Sequence, residues 1–515
     1  MKYKYTLSPE FHRQLWLRFS PFRLLAAPLV VALGVIATRN LPKNVAGITQ
    51  IDVTAMMYMA LTIYYLTVIV WGTYEAATSM QEELRGNTWD FQRMSSITPG
   101  KLAFGKLFGA TSFTWYFGLM ALAVVGYSYT NHQEGEGLPA AADPLAASPF
   151  PDPGDDTLYI LFCLAAAGII AQTVAFLYSF ADSMANSGRS GRAKPPRGIG
   201  AFVIGVIVGT QIFSHTMKFE ALHLQPRAAL LLHQFELTWY GHDIARENFM
   251  VFSLLFFIGW FLIGCYRTAR TELMYRNLPY VWALFVASVV AWNCGFSLHQ
   301  ASDASADKNW FTFFLSAFTQ MLFATYACMI SEASDARRYA RLAFYVRKRE
   351  VRHVLENMPK WFSTVPLVLV LFAIVLMNAT VDNPRFDAMH VTAFMLSFIL
   401  FMIRDGCIIH AIHLGMKGRG ASFAILFYYL VVYAMLPLVF FTSLSISMGD
   451  VFYGMQHFSV PENVSRVAGF FYPTSMMNPL MNILPVVLQA AAAALWLRTS
   501  IRKHYQPSVI ANAKA

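Results

Sequence analysis

Charge is what this chain has least of: Asp, Glu, Lys and Arg make up 13% of its 515 residues, against 56% apolar and aromatic residues. So little charge cannot cover a water-soluble surface, and apolar runs of about twenty residues recur along the length, which excludes a soluble globular protein. Polar–apolar alternation is also missing. Val365 to Met377 is nearly continuously apolar, so the spans are helices and not barrel strands. Cysteine is scarce: Cys163, Cys265, Cys294, Cys328 and Cys407 all fall in predicted spans and form no CxxC, which excludes a disulfide framework and leaves them as small buried hydrophobes. The N-terminus lacks a short apolar region with a small-residue cleavage site, so the first span reads as a retained helix. With neither H-E-x-x-H nor G-x-S-x-G, hydrolysis has no visible machinery.

What is present predicts an all-α polytopic membrane protein of about twelve spans, with both termini cytoplasmic. The spans run over roughly 22–38, 54–74, 102–127, 157–181, 199–215, 248–267, 278–297, 309–331, 363–380, 388–413, 421–443 and 477–498. The remaining charge is sorted by side. The loop 182–198 carries Arg189, Arg192, Lys194 and Arg197. The loop 332–362 carries Arg337, Arg338, Arg341, Arg347, Lys348, Arg349, Arg352 and Lys360. The loop 128–156 has Glu134, Glu136, Asp143, Asp152, Asp155 and Asp156 and no Lys or Arg. The first two are predicted inside and the third outside, with Arg39 and Lys43 as minor exceptions. That sorting also accounts for the net charge of +10 without nucleic acid as a partner.

The chain reads as an internal duplication, residues 1–268 and 269–515, two six-span halves in the same orientation. His12 to Phe22 (HRQLWLRFSPF) recurs as Arg270 to Tyr280 (RTELMYRNLPY), and Glu75-Ala76 is matched by Glu332-Ala333 one residue out of step. Each half is expected to start with an amphipathic element. In the first, Ser8 caps, Pro9 takes the first helical position, Phe11, Leu15, Trp16 and Phe19 face the membrane surface, and His12, Arg13 and Arg18 stay wet.

Between the second and third predicted spans, Met80, Leu84, Phe91 and Met94 form an apolar stripe broken by Gly86-Asn87, with Glu82, Glu83, Arg85, Asp90 and Arg93 mostly elsewhere. This suits two short helices joined by a turn along the inner membrane face, with Glu82 and Glu83 as exposed charges. The stretch Glu82 to Lys106 resembles the segment of ABC-2-type transporter permeases in which an acidic residue precedes Gly-Thr, then Pro, then Gly-Lys opening the third span. The matching positions are Glu82, Gly86, Thr88, Pro99, Gly105 and Lys106, with Asn87 inserted. In the second half only Glu332 and Pro359 keep the layout. The resemblance implies the membrane subunit of an ABC exporter in a bacterial inner membrane, and candidate coupling residues Glu82, Glu83, Arg85, Gly86, Thr88, Pro99, Lys106, Glu332 and Pro359. It also implies a separate ABC ATPase subunit, with two nucleotide-binding domains that hold ATP and Mg. With both halves fused, a homodimer is not required.

Gly100 to Lys106 spells G-x-x-x-x-G-K, but Leu107 replaces the metal-binding Ser or Thr and the stretch opens a span, so it is read as a chance match. Cys407, His410 and His413 are spaced too evenly by three for one helical face and are read as structural, not as a metal site. Arg404-Asp405 reads as a snorkelling or packing pair, or a substrate site. Gly105-x-x-x-Gly109, Gly205-x-x-x-Gly209 and Ala490 to Ala494 read as close-packing surfaces. Two other classes stay open: a twelve-span ion-coupled secondary transporter and a membrane-embedded enzyme.

Overall fold

The computed structural model describes residues 8–39, 51–85, 89, 94–95, 97–135, 153–187, 198–223, 237–273, 275, 277–296, 306–331, 336–379, 388–416, 419–435 and 479–513. Among these, seven helices are long and apolar enough to cross a membrane, eight if one bent helix pair is counted as a single span. Three further apolar helices are shorter, within Tyr280–Cys294, Phe313–Met329 and Trp361–Met377. The protein is thus an all-α polytopic membrane protein. Its contacts divide it into two compact units, residues 1–237 with 244–277 and residues 238–243 with 278–515.

The first unit opens with α1 (Pro9–Arg18), separated by two residues from α2 (Pro21–Arg39). Next, α3 (Ile51–Tyr64) runs through a π-helical stretch, Tyr65–Trp71, into α4 (Gly72–Arg85). A π segment widens the helix and leaves carbonyls poorly served, and here one of them is served by a side chain of another helix. The Gln172 side-chain amide donates to the Val68 carbonyl at 3.1 Å and accepts from Trp115 Nε1 at 2.8 Å, and the Tyr64 hydroxyl donates to the Leu164 carbonyl at 2.8 Å. Helix α5 (Pro99–Ala110) meets α6 (Ser112–Gly135) at a 56° bend. The bend sits at Thr111, whose hydroxyl donates to the Leu107 carbonyl at 2.8 Å, a local bond that competes with the helical ladder. Helices α7 (Pro153–Ser187), α8 (Ile199–His223) and α9 (Arg246–Glu272) complete the unit.

Small residues set the closest approaches. A Cβ at Gly205 would lie 2.7 Å from Ala175 Cβ, and one at Gly209 would lie 2.7 Å from Ala171 Cβ, so the expected GxxxG surface of α8 is the one that meets α7.

The second unit takes in residues 238–243 of a hairpin, β1 (Leu237–Trp239) and β2 (His242–Ile244), whose Tyr240-Gly241 turn has φ of 52° and 73°, the signature of a tight two-residue hairpin. Tyr240 donates through its hydroxyl to the Ala291 carbonyl at 2.7 Å, which fixes the turn on α10 (Tyr280–Cys294). Then come α11 (Ala306–Ser331), α12 (Ala336–Lys348), α13 (Val351–Asn357), a 3-10 turn at Trp361–Ser363, α14 (Val365–Ala379), α15 (Ala388–Gly415), α16 (Arg419–Leu430) and α17 (Pro479–Ala513). Phe318, Met321, Val368, Met395 and Met402 are central to its core.

Two expectations need correcting here. The first of the two short inner helices does not lie along the membrane face: Gly72–Arg85 continues the second span, with Met80 buried in the core below it and Met94 exposed. Among the described residues the second half does not repeat the amphipathic entry either. Where the first half has a free-standing α1, Arg270 to Glu272 are the last turn of α9, and the helix ends at Leu273.

Candidate functional site

A lysine in an apolar run cannot stay charged unless paired, because taking an ammonium out of water costs several kcal/mol. Lys106 meets this condition. It lies on α5 with its side chain fully buried, ion-paired to Glu83 of α4 and, at 3.3 Å, to Glu10 of α1, whose side chains are 6% and 3% exposed. Arg13 closes the group from the rim, donating to Glu10 at 2.8 and 3.0 Å and pairing with Glu83. Gln14 adds a hydrogen bond to Glu10 at 3.0 Å. Two carboxylates and two cations thus balance, and three separate helices meet on one charge cluster. Burial pushes the Glu10 carboxyl up, but the Arg13 and Gln14 hydrogen bonds and the charges of Lys106 and Arg13 outweigh it and hold Glu10 below the usual carboxylate value.

Backbone shape makes this geometry possible. A Cβ at Gly105 would stand 2.9 Å from both Glu10 Cβ and the Phe11 backbone nitrogen, and one at Gly109 would stand 2.8 Å from Gln14 Cβ. The Gly105/Gly109 stripe is therefore the groove in which α1 lies. At its edge the Ser8 hydroxyl donates to the Lys101 carbonyl at 2.7 Å. One turn further along α1, Arg18 pairs with both Glu75 and Glu82 of α4, and Trp71 Nε1 donates to Glu75 at 3.1 Å.

Of the candidate residues, Glu83 and Lys106 come into direct contact, and Glu82 joins the neighbouring Arg18 pair at the surface. Pro99 takes the first position of α5, where its missing N–H costs nothing. Arg85 is the last residue of α4. Gly86, Thr88 and Glu332 lie outside the described residues. Pro359 is buried in the second unit, where it lines a cavity. The expectation that Glu83 is an exposed charge is overturned, because Lys106 and Arg13 draw it inward. On α1 one expectation is corrected: the buried side carries Ser8, Glu10 and Gln14, and Arg18, expected to stay wet, has a side chain only 16% exposed and turned onto carboxylates, whereas Trp16 keeps its outward face and Arg13 stays partly exposed.

No family model, no curated protein and no solved structure matches the chain.

Two participants escaped the sequence reading. Glu10 was foreshadowed by its spacing, since Glu10, Arg13 and Gln14 at i, i+3 and i+4 share one helical face. Trp89 had no such signal. It is buried with Met80, Leu102 and Phe180, its ring edge-on to Phe180 at 6.2 Å, so one point of the segment between α4 and α5 is anchored in their common core.

The G-x-x-x-x-G-K stretch forms helical turns, Leu102 N–H bonding to the Thr98 carbonyl at 3.0 Å, with the lysine committed to Glu10 and Glu83. From Leu102 onward its backbone donors are spent within the helix. In the second unit, Arg404 and Asp405 are both buried and form an ion pair at 2.7 Å, extended by Gln489 at 2.7 Å and by the hydroxyls of Tyr428 and Tyr326. Among the described residues no group of three or more His, Cys, Asp or Glu is placed to hold a metal.

Proposed function

We propose that this chain is the membrane-spanning subunit of an ABC exporter of the ABC-2 type. In this reading two fused six-span halves, twelve spans in all with cytoplasmic termini, sit in a bacterial inner membrane. ATP and Mg are handled by a separate subunit with two nucleotide-binding domains. The observation that carries the proposal is the joint between α1, α4 and α5: the ends of the second and third spans are tied by Glu83–Lys106, and the polar segment between them is where the family resemblance lies. A force applied to that segment reaches two spans and the surface helix as one body, since charge-paired helices resist sliding independently.

The test is purification from the native membrane under mild detergent, followed by identification of co-purifying polypeptides. The reading expects an ATPase subunit to accompany the chain and expects the chain alone not to hydrolyse ATP. Hydrolysis by a preparation free of other polypeptides would overturn it.

A second reading, an ion-coupled secondary transporter, draws on the buried Arg404–Asp405 pair, because intramembrane carboxylates commonly carry protons or ions. In proteoliposomes without any ATPase it expects a proton flux that Asp405→Asn abolishes. A wild-type chain with no such flux leaves the permease.

A further inference from the structure

Beside α12 the second unit contains a cavity of about 480 Å³, within the size range of small-molecule sites. Its lining is mostly apolar, with Tyr339 and His410 as the polar members, and includes Val346 of α12, Val354 of α13, Trp361 of the following turn and Leu369 of α14. Val346, Phe362 and Leu369 are also about half exposed, so the cavity opens sideways through hydrocarbon surface. The walls are built firmly. Arg338 donates to the carbonyls of Asn357 and Met358 at 2.9 and 2.7 Å, and Tyr345 stacks on His353 with ring centres 4.9 Å apart, closing α12 and α13 into a hairpin.

Immediately after the lining residue Val346 come Arg347, Lys348 and Arg349, all exposed, with Arg352 exposed one short turn later. Facing them on the same hairpin are only two acids, Glu350 and Glu356, both drawn to His353 and the latter also to Arg352. Lys348 lies over the Phe344 ring at 4.6 Å, and an apolar pocket followed directly in the chain by three exposed cations suits a molecule with a hydrocarbon tail and a negative head. A soluble anion would gain nothing from the pocket, and a zwitterionic lipid would gain little from the cations.

We propose that this cavity and the cations that follow Val346 bind one anionic phospholipid, an acyl chain entering beside Trp361 and the phosphate lying at Arg347, Lys348 and Arg349. The positive-inside distribution assigns this face to the inner leaflet. The site requires no ATPase and stands or falls independently of the exporter reading.

The full chain, purified in detergent, would be titrated with phosphatidylglycerol brominated on its acyl chains and with phosphatidylcholine of the same chains, reading tryptophan fluorescence. Subtracting the titration of Trp361→Phe isolates quenching at the cavity. The expected result is Trp361 quenching by phosphatidylglycerol at concentrations roughly tenfold to a hundredfold below those needed for phosphatidylcholine. In R347Q/K348Q/R349Q that preference should disappear, with an unchanged gel-filtration profile. Soluble glycerol phosphate should not displace the lipid. The proposal is overturned if the two lipids quench equally, if Trp361→Phe removes no part of the quenching, if the triple variant keeps the preference, or if glycerol phosphate competes.

Discussion

Replacing Lys106 with methionine keeps most of the side-chain length and removes only the charge, which makes it the sharpest probe of the joint. The wild-type group holds Glu10 and Glu83 against Lys106 and Arg13; the variant leaves two buried carboxylates facing one guanidinium whose side chain is 41% exposed. Removing one partner of a buried ion pair costs about 3–5 kcal/mol. Because Arg13 still reaches both carboxylates, the lower end applies, about 3 kcal/mol. At about 2–4 °C per kcal/mol for a unit of this size, the unfolding midpoint should fall by roughly 6–12 °C. K106M/E83Q restores neutrality, with Arg13 facing Glu10 alone, and should recover about 2 kcal/mol of the loss through coupling between the two sites. The assay is thermal unfolding in detergent of wild type, both single variants and the double variant, followed by gel filtration and by proteolytic release of the N-terminal segment. A midpoint within about 2 °C of wild type for Lys106→Met would refute the reasoning, as would a double variant less stable than Lys106→Met.

Glu82 and Glu83 should separate where the sequence treats them alike. Glu82→Lys, at a side chain 57% exposed, should cost less than about 1 kcal/mol, whereas Glu83→Lys places a third cation beside Lys106 and Arg13 and should lower the unfolding midpoint sharply. In a reconstituted complex with the proposed ATPase, Glu82→Lys should uncouple hydrolysis from transport more than reversal of Arg347 and Lys348; the opposite ranking would displace the first loop as the main transmission element. Glu10 gives a pH signature: its carboxyl titrates below the ordinary value of 4.5, so its contribution is complete above that pH and is lost as pH falls through the lower folded value. Proteolytic release of α1 should accordingly rise only in that acid range, and Glu10→Gln should remove the acid-dependent step. Gly105→Val should release α1 at all pH values, because its side chain would meet the Phe11 backbone; a protected α1 in that variant would show that the glycine groove does not seat it. Single cysteines at Ala146 and Ser190, in a cysteine-free background, should label from outside and inside respectively, since one span separates them.

The sequence by itself determined the class of protein. Long apolar runs and scarce charge leave only membrane helices, because a backbone in hydrocarbon must satisfy its own hydrogen bonds. It also placed apolar runs where the seven membrane-length helices among the described residues lie, and it marked Glu83 and Lys106 as noteworthy within one polar segment. Residues one helical turn apart are legible in this way because local geometry fixes their spacing, as with Glu10, Arg13 and Gln14. What only the tertiary structure decided is which residues meet. Glu10 and Lys106 are 96 positions apart, and nothing local distinguishes a solvated Glu83 from one drawn under a helix. The inward face of α1 was hidden for the same reason: nothing local marks Glu10 and Gln14 as buried until α5 offers a glycine groove and a buried cation. The first turn of the inner loop proved to be the end of a span because the core beneath Met80 and Trp89 extends the helix further than hydropathy does. Pairing energy depends on distance through space, and only the packed helices set that distance.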